Sequence, residues 1–230
     1  VGGTKILSIV VNNKYEIISR CRKKTKGWVK SDKPEHKIIQ TIEESIQEAG
    51  NPKIVGIGIG APGPVDPKNG IIINTPNLGW ENFPIVDILS KHFAVPVVLD
   101  NDVNLGTYAE WLLGKNKEAK HVVGVFPGTG IGGGLIVNRK IVHGASGGAG
   151  EVGHMTLQID GPLCGCGKRG CLEALASRIA ITREISALIL RGESTYLAEK
   201  VGTDISKIRS SVIADAIEHG DKKIEGIVKK

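Results

Sequence analysis

One histidine and three cysteines near the middle of the sequence have the spacing of a metal site. They are His154, Cys164, Cys166 and Cys171, and several glycines between them supply the turns of a short loop. Thiolate and imidazole are ligands that zinc prefers, and four of them leave no open position on a tetrahedral ion. The spacing therefore predicts a structural zinc site rather than a catalytic one. Reduced cysteines without a metal are the alternative.

A run of glycines at residues 128–134 could bind phosphate. It reads Gly-Thr-Gly-Ile-Gly-Gly-Gly, and glycines let backbone N–H groups approach an anion without interference from a Cβ. An apolar strand precedes the run and apolar residues follow it, which argues against the Rossmann and Walker patterns, because both lead into a helix. A shorter Gly-Gly-Thr-Lys stands at residues 2–5. The two segments together predict phosphate binding, and a tight hairpin is the alternative for the longer one.

Two aspartates and two asparagines are concentrated at residues 100–104, where a predicted strand ends and a predicted helix begins. One of these side chains is needed to cap the helix. Ligands of open α/β sheets bind at the carboxyl ends of strands. An aspartate at this position could accept the proton of an attacking hydroxyl group during phosphoryl transfer.

Two glutamates lie close to the cysteine cluster in sequence. Glu151 precedes His154 by three residues, and Glu173 follows Cys171 by two. Each could be an ordinary surface charge. Held by a rigid metal loop, both could instead accept hydrogen bonds from neighbouring hydroxyl groups of a sugar.

The elements that must position these residues alternate between strand and helix, which indicates an α/β fold. The pattern restarts after Gly114 with a second glycine turn beside strands, which predicts two related domains facing one cleft. The segments, in order, are a hairpin at 6–11 and 15–21, a helix at 34–49, a strand at 54–59, a loop-rich stretch at 60–82, a helix at 84–93, a strand at 95–99, a helix at 101–113, a strand at 121–126, a turn at 128–134, a strand at 135–137 and helices within 172–191 and 206–230.

Composition excludes several classes of protein. Hydrophobic residues make up 40% and charged residues 23%, as in ordinary globular proteins. The net charge is +6, but the basic residues are dispersed and aromatic residues reach only 4%, so nucleic-acid binding is not expected. The sequence has no apolar run of about 18 residues and no secretory signal pattern, so we expect no membrane partner and a cytoplasmic location.

Together these motifs resemble the ROK family, named for repressors, open reading frames and kinases. The resemblance runs in order from residue 1 to about 180. The matching segments are Gly-Gly-Thr-Lys at 2–5, Gly-Ala-Pro-Gly-Pro-Val-Asp at 60–66, Asn-Asp-x-Asn at 101–104, Gly-Thr-Gly-Ile-Gly-Gly-Gly at 128–134, Glu-x-Gly-His at 151–154, and Cys-Gly-Cys-Gly-x-x-Gly-Cys-x-Glu at 164–173 with Ser177.

The resemblance implies the two-domain, actin-like (ribonuclease-H-like) sugar kinase fold of the α/β class, with a zinc-binding loop. We expect an N-terminal α/β domain over residues 1–104 and a C-terminal α/β domain with the zinc loop over residues 105–230. The family pattern also has an aspartate just before Gly-Gly-Thr and a late Gly-Gly segment near the adenosine. Neither is present here, so we interpret the sequence as trimmed, above all at its C-terminus. A protein that lacks the nucleotide-base pocket is the alternative.

The resemblance also implies roles for individual residues. Asp102 is the expected general base, and His154 is expected to bind zinc with one ring nitrogen and face the sugar with the other. The other expected sugar-binding residues are Asn101, Glu151, Glu173 and Gly63, together with Asp102 itself. The expected ATP-binding residues, with Mg²⁺ at the phosphates, are Gly2, Gly3, Thr4, Lys5, Gly128, Thr129, Gly130, Ile131, Gly132, Gly133, Gly134 and Leu135.

The activity implied is ATP-dependent phosphorylation of a hexose, with glucose to glucose 6-phosphate as the first expectation. N-acetylmannosamine and fructose are alternative substrates, because pocket shape decides among sugars. A sugar-responsive transcriptional regulator of the same family and a non-catalytic sugar-binding module are alternative functions. The family also implies a homodimer.

Overall fold

The computed structural model describes residues 1–2, 5–24, 34–75 and 79–230. The chain divides into two compact units. The first contains Val1–Gly124 and Gly134–Ala149, and the second contains Val125–Gly133 and Gly150–Lys230. Residue 104, where the sequence analysis places the domain boundary, lies inside the first unit.

Strands and helices alternate through the first unit, and short helices dominate the second. The strands are β1 (Lys5–Val11), β2 (Ile17–Lys24), β3 (Ile57–Ala61), β4 (Val65–Asp66), β5 (Ile71–Thr75), β6 (Trp80–Phe83), β7 (Val97–Asn101), β8 (Val122–Pro127), β9 (Ile131–Val137) and β10 (Lys140–Ile141). The helices are α1 (Pro34–Glu48), α2 (Ile85–Phe93), α3 (Asp102–Leu113), α4 (Leu172–Ala176), α5 (Arg178–Leu190), α6 (Tyr196–Val201), α7 (Ser210–Glu218) and α8 (Lys222–Lys229).

Strands β3 and β7 form the parallel pair that positions the predicted base. Gly60 lies opposite Asp100, and Ala61 lies opposite Asn101, so the two carboxyl ends are adjacent. Parallel strands need a crossover, and β4–β6 and α2 supply it. Ile59 of β3 and Leu99 of β7 precede the two strand ends and are apolar and buried. The polar residues at the strand ends are therefore held in place by buried neighbours in the same strands.

Each unit has its own hydrophobic core. In the first unit, α1 and α2 pack against strand residues through Ile38, Ile85 and Leu89, which are almost fully buried. In the second unit, α5–α8 pack around Ile185, Leu197 and Ile224. The apolar residues of the C-terminal helices thus serve packing.

The stretch 60–82, expected to be rich in loops, contains strands. β4, β5 and β6 form an antiparallel sheet in that order, and Ile72 and Trp80 are buried in the core of the first unit. Each of these strands has two to five residues. Segments this short carry too little alternation to be recognised from periodicity. Residues 76–78 lie outside the described part.

Other boundaries also differ from the sequence prediction. The second strand of the first hairpin runs over Ile17–Lys24 rather than 15–21. The glycine turn ends at Gly130, because β9 begins at Ile131. The helix expected over 172–191 is divided at Ser177, whose side chain accepts a hydrogen bond from the N–H of Ala180 and begins a new helix.

In the described ranges, no helix combines the length and the apolar character needed to cross a membrane.

Candidate functional site

Asn101 is the residue that caps α3. Its backbone is extended, and its side-chain oxygen accepts hydrogen bonds from the N–H groups of Val103 at 2.9 Å and Asn104 at 3.3 Å. Both N–H groups belong to the first turn of the helix and have no partner within it. Capping therefore occupies the oxygen of Asn101 and leaves its amide N–H groups for a ligand.

Asp102 follows directly as the first residue of α3, and it is exposed. Its carboxylate accepts no hydrogen bond from any described residue, because Asn101 already performs the capping. A carboxylate that is exposed, unshared and placed where a parallel strand ends has the freedom to accept a proton from a substrate hydroxyl. The role of Asp102 as a general base stays a prediction.

Asp100 fixes the turn that presents Asp102. One carboxylate oxygen accepts hydrogen bonds from the backbone N–H of Asn101 at 2.7 Å and from Nδ2 of Asn104 at 3.0 Å. The other lies 2.8 Å from Nε2 of His143, and the Asp100 side chain is only 13% exposed. Asp100 thus has partners on both oxygens, as a largely buried carboxylate requires.

Sequence reasoning assigned no role to Asp100 and missed His143 entirely. The two residues are 43 positions apart. His143 lies in a glycine-rich segment without a ligand-like spacing, so no signal in the sequence could have paired it with Asp100.

Gly63, an expected sugar-binding residue, has a clear backbone requirement. Its φ is +88°, a region that favours glycine, and a Cβ there would overlap the carbonyl oxygen of Asn74. This packing alone demands glycine at position 63. Contact of Gly63 with a sugar stays a prediction.

The predicted metal ligands come together in the second unit. The ligand atoms of His154, Cys164, Cys166 and Cys171 all lie within 4.8 Å of one another. Nδ1 of His154 is 3.6 Å from Sγ of Cys164, and Sγ of Cys166 is 3.7 Å from Sγ of Cys171. Zinc–sulfur bonds of 2.3 Å at a tetrahedral centre place two sulfurs about 3.8 Å apart. The arrangement of the four side chains therefore fits a tetrahedral metal ion.

The loop that brings the ligands together depends on glycine. Gly170 has φ +67°, and a Cβ there would overlap the carbonyl oxygen of Gln158. Inside the loop, Cys164 and Lys168 are joined by a backbone hydrogen bond of 2.8 Å, and Gly167 donates to the carbonyl of Cys164 at 3.0 Å. These two bonds form a tight turn that directs the thiols of Cys164 and Cys166 toward the centre of the four-residue cluster.

The thiols of the cluster differ in how readily they ionise. Burial, with hydrogen bonds from the Cys171 thiol to the neighbouring cysteines, raises the pKa of Cys171 to about 11. The backbone N–H of Lys168 lowers the pKa of the exposed Cys166. A metal ion would have to displace the proton of Cys171, because thiolate is the form that binds metals.

The two ring nitrogens of His154 face different groups. Nδ1 faces Cys164, whereas Nε2 lies 4.0 Å from a carboxylate oxygen of Glu151. A metal ion on Nδ1 would leave the proton on Nε2, which could then donate a hydrogen bond. The side chain of Glu151 is 58% exposed, so it is accessible to a ligand.

The glycine turn at 128–130 keeps free N–H groups. The N–H of Gly128 bonds to the carbonyl of Gly130 at 2.8 Å, and the N–H groups of Thr129 and Gly130 have no acceptor in the described part of the chain. A cavity of about 370 Å³ adjoins both residues. Two unpaired N–H groups beside an open cavity can bind an anion.

Glu173 is joined to this turn. Its Oε2 accepts a hydrogen bond from the N–H of Ile131 at 2.9 Å, and a Cβ at Gly130 would overlap its carboxylate. Its Oε1 lies 3.8 Å from Sγ of Cys164. Glu173 therefore links the glycine turn to the cysteine cluster, a connection that the sequence does not indicate.

The remaining expected ATP-binding residues have different environments. Gly133 and Gly134 belong to β9. A Cβ at Gly133 would overlap the carbonyl oxygen of Gly150, and a Cβ at Gly134 would overlap the side chain of Thr107 in α3. Packing therefore requires glycine at both positions. Ile131, Gly132 and Leu135 are also strand residues. Gly2 donates to the carbonyl of Lys5 at 2.8 Å. Gly3 and Thr4 lie outside the described residues.

The profile of the ROK family matches residues 1–230, the whole of the chain. The chain belongs to the ROK family. The resemblance inferred from the motifs is thereby confirmed, and the fold is the actin-like fold of ROK sugar kinases.

ROK relatives of this chain include both enzymes and repressors. It is 33% identical to a glucokinase of Thermotoga maritima over 224 residues, which cover 96% of this chain and 69% of the relative. It is 36% identical to a xylose repressor of Caldicellulosiruptor bescii over 188 residues, 80% of this chain and 46% of the repressor. The chain spans about half the length of several curated relatives that it matches.

A solved ROK structure extends the comparison to the fold. A ROK glucokinase from Streptomyces griseus, crystallised with glucose and AMPPNP, has a TM-score of 0.77 and is 30% identical. The match covers 99% of this chain and 72% of that one.

The contact between His143 and Asp100 generates a stability prediction. We expect His143→Ala to lower the free energy of unfolding by roughly 1–3 kcal/mol, because it leaves a largely buried carboxylate oxygen without a partner. The matched control is His92→Ala. Nε2 of His92 also lies 2.8 Å from a carboxylate oxygen, which belongs to Glu43. The Glu43 side chain is 52% exposed, so the expected loss in the free energy of unfolding is at most about 1 kcal/mol. Urea denaturation measures both, and equal losses would contradict the structural role given to Asp100.

Proposed function

We propose that this protein is an ATP-dependent hexose kinase, with glucose as its substrate and the 6-hydroxyl as the phosphorylated group. The observation that carries the proposal is the state of Asp102. Its carboxylate is exposed and accepts no hydrogen bond from the described residues, because Asn101 caps the helix in its place. A protein that only binds a sugar has no need for a free base at this position.

In the proposed reaction, Asp102 accepts the proton of the sugar hydroxyl as its oxygen attacks the γ-phosphorus of ATP. The bond from that phosphorus to the bridging oxygen breaks, and ADP leaves. The free N–H groups of Thr129 and Gly130 are suited to bind phosphate oxygens, and Mg²⁺ carried with ATP offsets part of their charge.

The sugar is proposed to be bound by Asn101, Gly63, Glu151, His154 and Glu173. The exposed carboxylate of Glu151 and the Nε2 proton of His154 offer an acceptor and a donor 4.0 Å apart, a combination that suits neighbouring hydroxyl groups. The T. maritima glucokinase and the glucose complex of the S. griseus enzyme support glucose. N-acetylmannosamine and fructose are the alternative substrates, and the assay described below includes both.

The metal is proposed to be zinc, held by His154, Cys164, Cys166 and Cys171. Its role is structural, because four protein ligands leave no open position. When bound, it would fix the tautomer of His154 and the loop that carries Glu173.

A sugar-responsive repressor is the second candidate, since the chain is 36% identical to the C. bescii xylose repressor. Such a protein would bind sugar without turning over ATP.

The test of the function is an ADP-release assay on the full-length protein with ATP–Mg²⁺ and glucose, fructose, mannose, N-acetylglucosamine or N-acetylmannosamine. We expect sugar-dependent ADP release that is fastest with glucose. Release that is fastest with another sugar would retain the kinase and correct its substrate. Absence of release with every sugar, together with sugar binding by calorimetry, would replace the kinase with the repressor or a binding module.

Asp102→Ala tests the base. We expect turnover to fall by roughly 10²- to 10⁴-fold, the contribution of a positioned general base, with little change in thermal stability. Asp87→Ala is the matched control, because Asp87 is also an exposed aspartate in the first turn of a helix of the first unit. A fall of less than about threefold in the Asp102 variant would remove it from this role.

Cys166→Ser tests the metal. We expect the wild-type protein to contain about one zinc per chain, measured by inductively coupled plasma mass spectrometry, and the variant to lose most of it. Sugar affinity should fall as well, because His154 and Glu151 are displaced with the loop. Cys21→Ser is the control, since Cys21 lies on β2 and is not one of the four clustered side chains. Wild-type protein without zinc would refute the assignment of the metal.

A further inference from the structure

We propose that Arg178 is a phosphate-binding residue that acts with the glycine turn on the triphosphate of ATP. This inference rests on the proposed kinase function. Its starting observation is that Arg178 is tied to the turn in two places. Its backbone N–H donates to the carbonyl of Gly128 at 3.1 Å, and Nη2 of its guanidinium donates to Oγ1 of Thr129 at 2.9 Å.

The first turn of α5 explains why Arg178 is held so closely. Ser177 caps the helix through its side chain, and its backbone N–H donates to the carbonyl of Glu173 in the helix before it. Arg178 is the first residue after this cap. Its position is therefore determined by two short helices and by the glycine turn, rather than by a flexible loop.

The charge of Arg178 is not neutralised within the described part of the protein. Its side chain is exposed, and no carboxylate of the described ranges lies within 4.0 Å of the guanidinium. By contrast, the guanidinium of Arg191, at the other end of α5, pairs with Glu193 at 3.4 Å. A guanidinium has five N–H groups, and only one of those of Arg178 is used by Thr129, so the others can donate to phosphate oxygens.

The hydrogen bond to Thr129 also orients the hydroxyl group of that residue. Because Oγ1 accepts from Arg178, the hydroxyl proton is free to donate elsewhere. The N–H groups of Thr129 and Gly130 are unpaired as well. An oxygen atom of a phosphate bound at this turn would therefore meet neutral donors from Thr129 and Gly130 and a full positive charge from Arg178.

The turn needs such a charge, because the carboxylate of Glu173 lies against it. Glu173 accepts from the N–H of Ile131 at 2.9 Å, which places a negative charge beside any bound phosphate. Two N–H groups are weak compensation for that repulsion when the ligand is a triphosphate. Arg178 offsets it, and a planar fork of donors suits phosphate better than a lysine ammonium does.

The experiment measures nucleotide affinity by calorimetry on the full-length protein, so that it does not depend on turnover. The variants are Arg178→Ala, Arg178→Lys and the control Arg191→Ala, each with ATP–Mg²⁺ and with AMP. We expect Arg178→Ala to weaken ATP binding about 10- to 100-fold, the range for a lost charge-assisted hydrogen bond. AMP and sugar affinities should stay within about twofold, and Arg178→Lys should recover part of the loss.

Each other result overturns the proposal in a distinguishable way. ATP affinity of the Arg178→Ala variant within about twofold of wild type would remove Arg178 from the site and leave the kinase intact. Equal weakening of ATP and AMP binding, or equal loss of ATP affinity in the Ala and Lys variants together with a lowered melting temperature, would make Arg178 a structural support of the turn. Wild-type protein that binds sugar but no ATP would refute the kinase itself, and this inference with it.

Discussion

The hydrogen bond between the carboxylate of Glu173 and the N–H of Ile131 is the contact on which the arrangement of the glycine turn and the cysteine loop depends. It joins the glycine turn to the helix that begins right after the last cysteine of the metal cluster. The contact is possible only because residue 130 has no side chain, since a Cβ there would overlap the carboxylate. Gly130, Glu173 and the cysteine loop thus depend on one another. A change in the loop can reach the turn through Glu173.

In the first unit, a comparable constraint acts on the start of α3. A buried carboxylate must have its hydrogen bonds satisfied, and Asp100 obtains them from Asn101, Asn104 and His143. Because Asn101 caps the helix, the carboxylate of Asp102 accepts no hydrogen bond from the described residues. Asp100, Asn101 and Asn104 therefore build the turn, and the exposed Asp102 is the residue for which we propose a chemical role.

The ROK family contains sugar kinases and sugar-responsive repressors, and this chain resembles both. Sugar binding, as we propose it for Glu151, Glu173 and His154, would serve either function. A kinase would need in addition a base for the sugar hydroxyl, donors for phosphate oxygens and a positive charge. In our proposals, Asp102, the turn at Thr129 and Gly130, and Arg178 would supply these.

The sequence alone determined the family, the α/β class and the four side chains that come together as a possible metal site, because each depends on residue type at short spacing. Cysteines two to seven positions apart in one loop can bring their thiols together with little help from distant residues. Only the tertiary structure decided that His143 pairs with Asp100, that Arg178 is anchored at Thr129, and that Gly133 and Gly134 are required by packing. These contacts join residues far apart in the chain, and neither periodicity nor local spacing carries information about which distant residues will meet.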